Sequence, residues 1–199
     1  FYQTVAIRSD GKLFAWGWNA LGQLGDGTFT NRKTPVQIGN DTWTAVAGGY
    51  YHTVAIRSDG KLFTWGLNNH GQLGDGTTDT TRNTPAQIGS DTWVSVAGGA
   101  FHSIAVRSDG KLFTWGSNNN GQLGDGTTND RTTPEQIGND TWTAVAGGFY
   151  QTVAIRSDGK LFTWGANFYG QLGDATPVYR ETPVQIGNDT WTAVAGGYY

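Results

Sequence analysis

An all-β protein, a β-propeller of four-stranded antiparallel blades with four repeats in the chain, is predicted by three features of the sequence. First, one unit recurs from end to end. SDGKLF begins at Ser9, Ser58, Ser108 and Ser157, in steps of 49, 50 and 49 residues, and GQLGD begins at Gly22, Gly71, Gly121 and Gly170. Second, every unit holds four short stretches of strand-forming residues divided by turn residues, the signature of a propeller blade at this period. Third, no segment keeps a helical periodicity over ten or more residues.

The elements follow in order within a unit, taking the second as example. Val94–Gly99 (VSVAGG) reads as the innermost strand, because strands crowd near a propeller axis and small side chains fit there. Ser103–Arg107 (SIAVR) follows after a short loop. Ser108-Asp109-Gly110 reads as a hairpin turn in which glycine supplies the positive φ. Lys111–Gly116 (KLFTWG) is the third strand, with Phe113 and Trp115 on one face to fill the space where blades splay apart. A long loop through GQLGDG leads to Pro134–Ile137 (PEQI), and a proline at its start suits a sheet edge. The one extra residue among the repeats falls in the loop Thr77–Thr84, where a surface loop absorbs it. A β-solenoid is the competing architecture, but its coils are shorter and do not need a hairpin turn in every repeat.

Composition narrows the function. The chain has 31 Gly and 9 Trp, no Cys and no Met, and a formal net charge of −3. Absence of cysteine excludes a disulfide frame, a thiolate metal site and a cysteine nucleophile. The charge supplies no basic field for nucleic acid or an anionic membrane. No apolar run approaches the roughly 20 residues of a membrane-spanning helix. The chain begins at Phe1 rather than Met and shows no signal peptide, so it is read as processed or as cut from something longer. Origin and compartment stay open, with a bacterial, secreted protein as the working expectation.

The units resemble the repeats of the regulator of chromosome condensation family. The residues that carry the resemblance are Ala47, Gly48, Gly49, His52 and Thr53, then Trp65, Gly66 and Asn68, then GQLGDG at Gly71–Gly76, and the match covers the whole chain. The resemblance implies a propeller, which in this family usually closes with seven blades. Its members include a nucleotide-exchange factor for a small GTPase, a plant ultraviolet photoreceptor and a bacterial inhibitor of β-lactamases, so the fold does not fix the function. The photoreceptor's GWRHT element is absent; GGYYHT, GGAFHS and GGFYQT stand in its place. The exchange activity depends on features outside the repeat, and no long insertion carries them here.

The termini fall inside a blade, so residues 1–199 are expected to form one repeat domain with a blade split between the two ends. The inner strand Trp191–Gly197 lacks its continuation, and its natural partner is the opening strand Gln3–Arg8. Pairing within the chain would close a four-bladed ring. Pairing between two chains would close an eight-bladed ring, which is the expected homodimer. A fragment of a longer array is the third alternative.

No catalytic, cofactor-binding or metal-ligating residue is assigned. His52 and His102 occupy a position held by Gln3 and Gln151 elsewhere. Gln is a poor metal ligand, so they are expected to hydrogen-bond neighbouring backbone. Asp26, Asp75 and Asp125 in GDGT loops lack the acidic triplet and closing Glu of a calcium loop and read as turn formers. GQLGDG lacks the Lys-Ser/Thr of a phosphate loop. Ser9, Ser58, Ser108 and Ser157 sit in turns, and the repeated Trp16, Trp65, Trp115 and Trp164 read as core.

The repeats differ on one face only. SDGKLF is invariant, and the connection before WxxV barely changes; both emerge on the same face of a blade. On the opposite face the connections vary and are rich in aromatic residues: Tyr50-Tyr51, Ala100-Phe101, Phe149-Tyr150 and Tyr198-Tyr199 after the inner strand, and Trp18, His70, Phe168 and Tyr169 after the WG pair. Exposed Tyr, Trp and Phe are enriched at binding hot spots. The expected function is therefore a non-enzymatic scaffold that binds a protein partner through this face. The alternatives are a structural or engineered repeat scaffold without a selected ligand, a proteinaceous enzyme inhibitor, and loop drift with aromatics that plug the central channel.

Overall fold

A computed structural model describes residues 2–197; Phe1, Tyr198 and Tyr199 lie outside the described residues. Among the described residues there are β-strands and no helix. The first sheet has three strands, β1 (Gln3–Ile7), β2 (Leu13–Gly17) and β3 (Arg32–Gln37). The second runs β4 (Trp43–Gly48), β5 (His52–Arg57), β6 (Leu62–Gly66) and β7 (Arg82–Gln87), in that spatial order. The third repeats the pattern with β8 (Trp93–Gly98), β9 (His102–Arg107), β10 (Leu112–Gly116) and β11 (Arg131–Gln136). The fourth does so with β12 (Trp142–Gly147), β13 (Gln151–Arg156), β14 (Leu161–Gly165) and β15 (Arg180–Gln185). All pairings are antiparallel. These are four blades; in the second, third and fourth the predicted order of four strands is the order found, and the first has three strands.

One boundary differs from expectation. The outermost strand of the third blade starts at Arg131, three residues before the expected Pro134. Its register jumps between Thr114 and Gly116, so Glu135 faces Thr114 while Arg131 faces Gly116. A bulge of this kind accommodates a proline inside an edge strand, where its missing N–H faces away from the sheet.

Blades stack through three apolar clusters. Val54, Ile56, Leu62 and Ile88 of the second blade meet Trp93, Ala105, Phe113 and Trp115. Equivalent residues fill the other two interfaces, with Trp65 and Trp164 at the place of Trp115. Each of these three tryptophans is fully buried.

The interfaces also carry a repeated polar lock. In the first, Trp65 Nε1 and Thr53 Oγ1 both donate to the carbonyl of Gln23, at 2.9 and 2.8 Å. In the second, Trp115 Nε1 and Ser103 Oγ donate to the Gln72 carbonyl at 2.9 and 2.8 Å. In the third, Thr152 Oγ1 donates to the Gln122 carbonyl at 2.8 Å. The glycine two residues on must be a glycine: a Cβ on Gly74 would lie 2.7 Å from Trp115 Nε1, and φ there is +76°. The motif GQLG is thus the seat for the tryptophan of the next blade.

Residues 191–197, which repeat the inner-strand sequence, form no strand and pair with no part of β1. They lie along the last blade, where Phe149 N donates to the Gly197 carbonyl and Trp191 N to the Gly159 carbonyl.

Candidate functional site

The two faces of the blades are chemically different. On one, every residue of the SDG turn has a structural partner. Arg57 Nη2 donates to Asp59 Oδ2 at 2.7 Å, Gly60 takes φ +81°, and the Ser58 and Thr42 hydroxyls lie 2.7 Å apart. Arg57 also stacks over the Phe63 ring at 4.8 Å. The arginine holds the Asp59 carboxyl down at about 2, a shift set mainly by this hydrogen bond. The arginine–aspartate bond recurs in all four repeats, at Asp10, Asp109 and Asp158, and the hydroxyl pair recurs at Ser108 and Ser157.

On the other face lie the loops after the inner strand and after the WG pair. The first kind are joined in series: Tyr50 N donates to the Ala100 carbonyl, and Ala100 N to the Phe149 carbonyl. This brings their aromatic residues into one cluster. Tyr50 meets Tyr51 edge-on at 4.2 Å between ring centroids, Phe149 at 5.5 Å and Phe101 at 6.1 Å. Tyr51 packs on Trp18 at 5.2 Å, Phe149 on Tyr150 at 4.4 Å, and the His70 ring on Phe101 at 5.4 Å. Tyr2 joins at 6.2 Å from Tyr50.

Trp18, Tyr50, Tyr51, His70, Phe101, Phe149 and Tyr150 are thus brought together. Within the cluster Phe149 is buried and Trp18, Tyr50, Tyr51, Phe101 and Tyr150 are half-buried. Phe168 and Tyr169, at 61% and 77% exposure, project from the corresponding loop of the last blade. Tyr198 and Tyr199 lie outside the described residues. One contributor, Tyr2, escaped the sequence reading. Tyr2 extends the cluster, and with Trp18 and Tyr51 it lines a cleft of about 260 Å³. Asp130 fixes His70 through a 2.9 Å contact between Nδ1 and Oδ2, and caps the Asn118 backbone N–H at 2.8 Å. The repeat offset between residues 70 and 130 would have paired the two loops, had neighbouring blades been aligned side by side.

The larger cavities belong to the architecture. One of about 450 Å³, lined by Asp75, Trp93, Phe113 and Pro134 among others, recurs at about 410 Å³ with the matching Asp125, Trp142, Phe162 and Pro183.

His52 and His102 are buried in the blade interfaces. Their partners are side chains of the next blade rather than the expected backbone: His52 Nε2 lies 3.0 Å from Ser103 Oγ, and His102 Nε2 3.1 Å from Thr152 Oγ1. Both hydroxyls give their own protons to carbonyls, so each imidazole must be the donor through Nε2–H. Burial lowers the two imidazoles to about 4 and about 3 respectively. Among the described residues no group of three His, Cys, Asp or Glu could hold a metal ion. Asp75 serves its turn as expected, accepting from Thr77 N and Oγ1 at 3.0 and 2.7 Å, and it also pairs with Arg82 at 2.6 Å. Burial works against its charge, and the bonds from Thr77 and Arg82 outweigh it, so its carboxyl sits below the ordinary value.

With this geometry in view, the comparisons are specific. The profile of the regulator of chromosome condensation (RCC1) repeat matches residues 10–56, 59–106, 109–155 and 158–199. Among curated proteins, the ultraviolet-B receptor UVR8 of Arabidopsis thaliana is 51% identical over 35 residues, which is 18% of this chain and 8% of that one. Human WBSCR16 superposes with a TM-score of 0.91 at 24% identity, covering 99% of this chain and 54% of that one. Prp20p of Saccharomyces cerevisiae, solved in a study of its binding to Gsp1p and histones, superposes at 0.86 and 24% identity, over 99% of this chain and 52% of that one. The chain spans about half the length of these solved propellers.

Proposed function

The chain belongs to the regulator of chromosome condensation (RCC1) repeat family, and on that premise we propose that it is a non-enzymatic propeller that binds a protein partner through its variable, aromatic face. The observation that carries this reading is the continuous cluster from Trp18 through Tyr51, Tyr50 and Phe101 to Phe149 and Tyr150. Rigid aromatic side chains give large contact area at low entropic cost. The aromatic positions change from repeat to repeat. The invariant Asn68, by contrast, donates to Asp75 and Thr77 and accepts from Leu73 N. Yeast Prp20p, named in connection with Gsp1p and histones, lends the protein-binding reading support by analogy. The partner set includes a second copy of this chain, two chains sharing one eight-bladed ring.

The test is comparative capture from source lysate with immobilised wild type, Trp18→Ala, Tyr51→Ala, Tyr150→Ala and, on the opposite face, Ser58→Ala. A protein retained by wild type and Ser58→Ala, but reduced about tenfold or more by the aromatic variants, is expected; each truncation at a hot spot costs about 2 kcal/mol or more. Equal recovery by all five proteins would falsify the assignment of the face.

A further inference from the structure

Of the 9 tryptophans, all but Trp18 belong to two series that every repeat carries: Trp16, Trp65, Trp115 and Trp164, and Trp43, Trp93, Trp142 and Trp191. Leu67, Ser117 and Ala166 hold the position of Trp18 in the other repeats, so this loop folds without an indole. Trp18 N donates to the Tyr2 carbonyl at 2.7 Å, as Leu67 N does to Tyr51 at 2.9 Å and Ser117 N to Phe101 at 2.8 Å. Tyr2 therefore sits in its loop as Tyr51 and Phe101 sit in theirs. The approach is close: a Cβ on Gly17 would lie 2.3 Å from the Tyr2 carbonyl oxygen. The Trp18 ring reaches across to the second blade and meets Tyr51 at 5.2 Å between centroids, tilted by 56°. Tyr2, Trp18 and Tyr51 line the cleft of about 260 Å³ between these two blades. The matching positions at the next interface are Tyr51, Leu67 and Phe101, and at the one after it Phe101, Ser117 and Tyr150. The full aromatic set belongs to the first interface.

We propose that this cleft is a cage for a quaternary ammonium group, and that its ligand is a trimethylated lysine side chain presented by the protein partner. This rests on the protein-binding reading of the aromatic face and deepens it by naming what the partner carries. The face of an aromatic ring attracts a cation held within about 6 Å of its centroid, and tryptophan does so best. Two rings tilted by 56° form a corner rather than a stack, and Tyr2 lines the same cleft. Among the described residues that line it, none carries a charged side chain. That selects between cations. An unmodified lysine or arginine brings N–H donors that would leave water and find only phenol oxygens as acceptors. A trimethylammonium has no N–H to satisfy, and its methyl groups pack directly on the rings.

Position argues for a protein as the source. The cleft continues into the aromatic cluster, because Tyr51 also meets Tyr50 at 4.2 Å and Phe101 at 6.0 Å. A polypeptide that inserts a side chain between Trp18 and Tyr51 lies along these rings and covers them. A free choline-type ion, or the headgroup of phosphatidylcholine, shares the chemistry of the cage but leaves the neighbouring rings unused.

Fluorescence polarisation with a short fluorescein-labelled peptide, a single lysine flanked by glycine and alanine, tests the cage. The lysine is used unmodified, trimethylated, and as the uncharged isostere in which carbon replaces the ammonium nitrogen. The trimethylated peptide should bind about tenfold or more tighter than either of the others, and tetramethylammonium chloride should displace it. Equal binding of the trimethylated and uncharged forms would mean an apolar cleft and overturns the proposal, as does binding of none of the three. Trp18→Leu, which copies Leu67 of the second repeat, should lose the preference at an unchanged urea midpoint; a preference that survives it overturns the assignment to this cleft. The isostere comparison needs no variant, so it decides the matter even if Trp18→Leu fails to fold. Phosphatidylcholine vesicles that sediment the wild type and displace the trimethylated peptide would assign the cage to a lipid headgroup and overturn the protein source. Failure of the cage with capture by the aromatic face intact leaves the partner reading standing, whereas equal capture by all variants removes the face itself.

Discussion

His52 shows how one side chain joins two blades. Its Nε2–H reaches Ser103, whose hydroxyl in turn reaches the Gln72 carbonyl, which also takes the indole proton of Trp115. The ring lies so close over Gly49 that a Cβ there would be 2.1 Å from Cε1. Nδ1 of His52 and of His102 has no hydrogen-bond partner, and burial opposes protonation of both. The sign of the pH effect follows. Below about 6.5 the unfolded chain takes up protons that the folded one refuses, down to the folded values of about 4 and about 3. Stability should therefore fall with acid by roughly 1.4 kcal/mol per pH unit for each imidazole. Urea melts between pH 7 and 5 should show a loss on the order of 3 kcal/mol for wild type. They should show a much flatter profile for the double variant His52→Gln, His102→Gln, which copies the residue at Gln3 and Gln151. Equal slopes would mean that the imidazoles reach water. Trp115→Ala removes both the apolar filling and the Gln72 lock, and it should cost roughly 3–5 kcal/mol in a denaturant melt. A loss below about 1 kcal/mol would contradict its full burial. That Trp115 is core was legible from its recurrence on a strand; that its indole proton bridges blades was not, because the acceptor is a backbone carbonyl some forty residues away and carbonyls leave no mark in a sequence.

Strands were the most legible elements, because each is bounded by a glycine or an Asp-Gly turn and repeats four times. The outer strand was misplaced at its start because Pro134 reads as a boundary, and only the bulge between Thr114 and Gly116 shows how the strand passes through it. The loop after WG carried more structure than its glycines suggest. Asp75 gathers Thr77, Asn68 and Arg82, although sequence distance hid the role of Arg82. Asp75→Ala leaves these donors unanswered, with the carboxylate 9% exposed. It should destabilise by about 1–3 kcal/mol and should speed proteolytic cleavage within residues 75–82 while the strands stay intact. Unchanged cleavage would show that the Asn68 bonds suffice. The contrast between faces was also partly a matter of the turn. SDGKLF is invariant because Arg57, Asp59, Gly60 and Ser58 each hold a partner, so its constancy needs no ligand. The candidate site was legible as a set of positions, but the aromatic stacking that unites them depends on the Tyr50–Ala100 and Ala100–Phe149 backbone bonds between neighbouring loops.

At the scale of the whole molecule, blades covered on both sides should be the most stable. Hydrogen exchange is expected to be slowest in β5, β6, β9 and β10, whose residues are almost all buried. It should be faster in β1, where burial is partial. Fold and blade number were readable because a repeat reports its own boundaries, whereas the state of the two end faces depends on what covers them, which no repeat encodes. The Gln-carbonyl seat has one more consequence, in heredity rather than mechanics. Since the seat on one blade and the tryptophan on the next are supplied by the same motif in every unit, any blade can follow any other. A DNA exchange between misaligned repeats that adds or removes one whole unit would join two compatible blades without altering a single contact residue. Such a gene can change its number of blades in one step, and the selection that follows acts on ring closure and loop chemistry rather than on the fit of one blade to another.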